Sequence, residues 1–107
     1  MTEEELRAEC ERRLIAWQAE SRYQYIAIPE RGERPPPGGV LTPQILRNAV
    51  VKILRDMIGD GLGTWDHRPD DARAFVGDHD HVCFIDPLQG RAVVDVPRVA
   101  RWLVTGP

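Results

Sequence analysis

The stretch Thr42–Gly59 constrains this chain more than any other, because it carries a start signal, an apolar arc and a stop signal for one helix. Thr42 is a residue type that caps helix N-termini. Pro43 falls at the first helical position, where its missing N–H costs nothing. Ile45, Leu46, Ala49, Val50, Ile53, Leu54, Met57 and Ile58 recur at helical spacing over an arc too wide for one contact face. Such a helix packs on more than one side. Gly59 is expected to take the left-handed conformation that ends it.

A first helix is expected from Glu3 to Glu20. Thr2 and Glu5 have the T-x-x-E spacing of a capping box, and Glu3, Glu4 and Glu5 lie where the helix dipole favours negative charge. Leu6, Cys10, Leu14 and Trp17 form one apolar stripe. Tyr23–Ile28 alternates like a strand that Pro29 ends, and Glu30–Gly39 (ERGERPPPGG) reads as an extended loop.

Beyond the central helix, Asp60–Asp80 is rich in Gly, Asp and Pro, with a short helical turn expected from Pro69 to carry Phe75. His81–Asp86 and Arg91–Val96 read as a hairpin joined by Pro87–Gly90. Pro97 opens a last turn or two, with Val99, Trp102 and Leu103 on one side. This order predicts an α+β fold, with two main helices packed on a small antiparallel sheet in the sequence helix, strand, loop, helix, hairpin, short helix. At 107 residues, with 42% apolar and 29% charged, residues 1–107 are expected to form a single domain.

Charge narrows the function. The net charge of −3 opposes generic binding to a phosphate backbone. Of the 14 basic residues, Lys52 is the only lysine, a skew consistent with a bacterial or phage source. No apolar run reaches the length of a membrane span, and the acidic start is the opposite of a signal peptide. Cys10 and Cys83 lie too far apart in sequence to suggest a disulfide framework and fall on apolar patterns, as reduced buried thiols do. A cytoplasmic location is the expectation.

Candidate chemistry gathers in the second half. His79, His81 and Cys83 would share one face of an extended strand, a donor set suited to zinc or a similar divalent metal, with His67 or Asp66 as a further ligand. The acids Asp66, Asp70, Asp71, Asp78, Asp80 and Asp86 carry the turn chemistry of their own backbone, and nothing in the pattern pairs two of them for acid–base catalysis. Gly59–Gly63 follows a helix and has no lysine at its end, so it is punctuation and not a phosphate loop. The one serine, Ser21, lacks a nucleophile elbow. No catalytic residue is expected.

A winged DNA-binding arrangement would use the hairpin and Pro97–Leu103, but the chain ends where a recognition helix should follow. The leading expectation is a non-enzymatic module that binds a larger protein, as an inhibitor, immunity-type partner or adaptor. Its expected contact residues are Arg31, Arg34 and Trp65, on loops that the core least needs. Self-association through a sheet edge or the first helix is the other partner reading.

Overall fold

The structure, a computed structural model, describes residues 1–21, 41–79, 81–86 and 91–106. Among them are helices α1 (Glu3–Ser21), α2 (Pro43–Gly59), α3 (Asp71–Asp78) and α4 (Val96–Thr105), and strands β1 (Cys83–Asp86) and β2 (Arg91–Val94). The strands pair antiparallel, with Cys83 opposite Val94 and Asp86 opposite Arg91. This is an α+β fold. The expected strand Tyr23–Ile28 and the loop 30–39 lie outside the described residues. No described helix is long and apolar enough to cross a membrane.

Local chemistry explains where the helices start. The Thr2 hydroxyl accepts from the Glu5 N–H at 3.1 Å, while Glu5 Oε1 accepts from the Thr2 N–H at 3.1 Å, a reciprocal capping box. The Thr42 hydroxyl accepts from the Ile45 N–H at 3.2 Å. Asp95 does the same for α4, accepting from the Arg98 N–H at 3.1 Å. That cap takes Asp95 and Val96 out of the strand predicted to reach Val96. The predicted last turn or two becomes a helix of 10 residues.

The end of α2 differs from expectation. Gly59 is still helical, and the left-handed residue is Gly61, at φ 77°. The Gly61 N–H donates to the Ile58 carbonyl and the Leu62 N–H reaches back to that of Met57, which is the Schellman arrangement. Two glycines within three residues offered two exits, and the later one closes this pair of bonds.

Around α2 the core is assembled from every side. Leu46, Val50, Ile53, Leu54 and Met57 of α2 are buried with Leu6 and Cys10 of α1, Phe75 and Val76 of α3, Val82 and Cys83, and Val99, Trp102 and Leu103 of α4. Covering a leucine as fully as Leu54 stabilises the fold by roughly 1.5–3 kcal/mol. No polar or charged residue is buried among the described residues. Charges tie the helices at their edges instead. Arg13 of α1 donates to Glu9 at 2.8 Å and to Asp60, beyond the end of α2, at 2.9 Å. Arg101 of α4 lies 3.5 Å from Glu3 of α1.

Candidate functional site

Helix α4 ends with carbonyls that have no partner in their own helix, and residues 64–67 supply donors to them. The N–H groups of Thr64 and Trp65 both donate to the Leu103 carbonyl, at 3.1 and 3.2 Å. The Thr64 hydroxyl donates to the Val104 carbonyl at 2.7 Å. Nε2 of His67 lies 2.8 Å from the Trp102 carbonyl oxygen. A carbonyl only accepts, so Nε2 carries the proton. This loop is the C-terminal cap of α4.

The same contacts bring five rings into a ladder. His67 stacks on Trp102 with centroids 3.7 Å apart, and Phe75 of α3 stacks on Trp102 at 4.4 Å with the planes 5° from parallel. Trp65 tilts toward His67 at 6.3 Å, and His79 meets the Phe75 ring edge-on at 5.3 Å. Aromatic pairs contribute about 0.5–1.5 kcal/mol each beyond the area they bury. At the far end, Nδ1 of His79 accepts from the Arg98 guanidinium at 3.4 Å.

Trp65 is the outer rung, 51% exposed, beside exposed Asp66 and Arg68. One face of its indole lies against Gly106, where any added Cβ would clash with the ring carbons. Gly106 has φ 78° and donates its N–H to the Trp102 carbonyl at 2.9 Å. The tryptophan is therefore seated on the capped end of α4 while half of it stays open to solvent.

The other residues singled out from sequence fall as follows. His79 caps the C-terminus of α3, His81 lies in the turn after it, and Cys83 is the first residue of β1. The extended backbone that would align all three starts only at Cys83, because α3 runs to Asp78 and the Val82 N–H turns back to the His79 carbonyl. His79 and His81 are exposed, and Cys83 is buried. His67, the further ligand considered, is occupied by Trp102. Among the described residues, no three His, Cys, Asp or Glu side chains are grouped to hold a metal ion.

Both thiols are free and buried, and burial pushes that of Cys10 up to about 11 and that of Cys83 upward. Asp66, Asp70, Asp71 and Asp78 stand exposed on turns and helix ends, and Asp71 accepts from the Arg68 N–H at 2.8 Å. Arg31 and Arg34 lie outside the described residues. The sequence marks Trp65 but not its support. Nothing in a T-W-D-H run announces that it will cap a helix 35 positions further on.

No protein-family model, curated protein or solved structure matches this chain.

Proposed function

We propose that this protein is a non-enzymatic binding module that acts by occupying a surface of a larger protein, with Trp65 as its anchor. The observation that carries the reading is an indole half open to solvent yet seated on Gly106, on a residue whose backbone N–H donates to the Leu103 carbonyl. An aromatic side chain already ordered loses little freedom on binding, and tryptophan is among the residue types that dominate interface energetics. Arg68 beside it supplies a cation for the polar rim. Arg31 and Arg34 are the further contacts of this proposal.

The test is affinity capture from a lysate of the source organism with the unaltered chain and with Trp65→Ala. The expected result is one stoichiometric protein retained by the former and lost by the latter. Truncating an anchor tryptophan costs at least about 2 kcal/mol, roughly 30-fold in affinity. Equal retention by both would remove Trp65 from the interface, and retention of nothing by either would remove the binding-module reading.

A further inference from the structure

The outward rows of α2 and α3 face each other across a groove of about 660 Å³. On α2, Arg47, Val51 and Arg55 follow one another at intervals of four, and Asn48, Lys52 and Asp56 form the adjacent row. Across from them α3 contributes Arg73, Val76 and Gly77, and Pro69 closes one end. Four cationic side chains thus meet one carboxylate, on a chain whose net charge is −3. Neither Lys52 nor Arg73 has an ion-pair partner among the described residues, and both are exposed. Among the described residues Arg55 pairs with Asp70 alone, at 4.0 Å and itself 95% exposed, which leaves its charge largely uncompensated there.

We propose that this groove docks an acidic segment of a partner protein, a short peptide carrying carboxylates beside an apolar side chain. The inference rests on the reading of the chain as a protein binder and adds a second contact to it, since no rung of the aromatic ladder lines the groove. Charge selects an anion. The lining selects which anion: Val51, half-buried, leaves apolar surface in the groove, so an apolar side chain has a seat that a phosphodiester backbone would leave empty.

Single-stranded nucleic acids are held by aromatic rings that stack their bases, and no lining residue is aromatic. Duplex binding needs cations repeated along a backbone. Helix α3 has 8 residues and so extends about 12 Å. Against that length an extended peptide lays roughly four residues, at about 3.3 Å each. Arg47 and Arg55, eight positions apart on α2, span about the same distance.

The experiment is fluorescence anisotropy on the full chain, with a short labelled peptide of alternating glutamate and leucine as the probe. The lysine–leucine counterpart, labelled oligothymidylate and a labelled DNA duplex are the comparison ligands. Saturable binding of the glutamate–leucine peptide alone, weakening as salt is raised, is the expected result. The double charge reversal Lys52→Glu with Arg73→Glu should weaken it about tenfold or more.

Gly77→Leu tests the same site without altering charge. Open space surrounds the Cβ position of Gly77, and the substitution favours the helix, so it should fill the groove while leaving the fold intact. Absence of peptide binding overturns the proposal, as does tighter binding of either nucleic acid, or binding that survives both groove variants. Each of those results leaves Trp65-dependent capture standing, so failure of the groove and failure of the binding module are separable.

Discussion

His67 holds Trp102 at two points: its ring stacks on the indole at 3.7 Å, and its Nε2–H reaches the carbonyl of the same residue at 2.8 Å. Removing the imidazole should cost both contacts and leave a helix-end carbonyl one donor short. His67→Ala is expected to destabilise the fold by about 1–3 kcal/mol. His67→Phe, which can stack but cannot donate, should lose less. Urea unfolding of the two variants checks the ranking, and equal stability of all three proteins would show that the loop is not a structural cap.

Gly106 determines where Trp65 sits. With φ 78° and the indole occupying the space of a Cβ, Gly106→Ala must strain the backbone and displace the ring. At ψ −163° this positive φ lies in a region essentially reserved for glycine, and holding a residue with a side chain there costs about 1–3 kcal/mol. The expected outcome is a lowered unfolding midpoint together with a shifted Trp65 indole N–H resonance. An unmoved resonance would show that the ring does not depend on this glycine.

Burial, reinforced by the neighbouring Glu11 carboxylate, raises the Cys10 thiol to about 11. In the unfolded chain a cysteine ionises near about 8.5. The neutral thiol therefore costs the fold nothing below that pH, and stability is lost as pH rises from about 8.5 toward 11. A disulfide reagent at pH 8 should label Cys10 only after urea has opened the core. Rapid labelling of the native protein would contradict its burial in the core.

Glu9 behaves in the opposite sense. Hydrogen bonds from Arg12, and then from Arg13, hold its carboxyl down to about 2. The stabilisation this gives is fully present above the ordinary glutamate value of about 4.3, and is lost as pH falls toward about 2. Glu9→Gln should be less stable than the unaltered chain at neutral pH, and the two urea midpoints should converge in acid. Midpoints that differ equally at both pH values would assign the effect to something other than ionisation.

What was legible in the sequence was what depends on neighbours within a turn. The capping box of Thr2 and Glu5, the Thr42 cap, Pro43, and the burial of Leu6, Cys10 and the α2 arc follow from bonds and spacings of three or four residues. The exit of α2 was misplaced from Gly61 to Gly59 because both glycines permit it locally, and only the bond from Leu62 to Met57 chooses between them. The start of β1 slipped from His81 to Cys83 for a related reason. Helix α3 continues to Asp78 and the chain turns at His79, so an alternating His-x-His-x-Cys pattern never becomes one extended face.

The aromatic ladder and the cationic groove belong to tertiary structure. Trp65 could be marked from sequence as an aromatic residue on a dispensable loop, but its seat is made by the far end of the chain, through Trp102, Leu103 and Gly106. Lys52 and Arg73 share a groove because α2 and α3 lie side by side. Helix caps and apolar periodicity are encoded within a few residues, where chain geometry leaves little choice. Which loop satisfies the last carbonyls of α4, and which cations come to face one another, was decided by how the buried faces of Leu54, Phe75 and Leu103 pack.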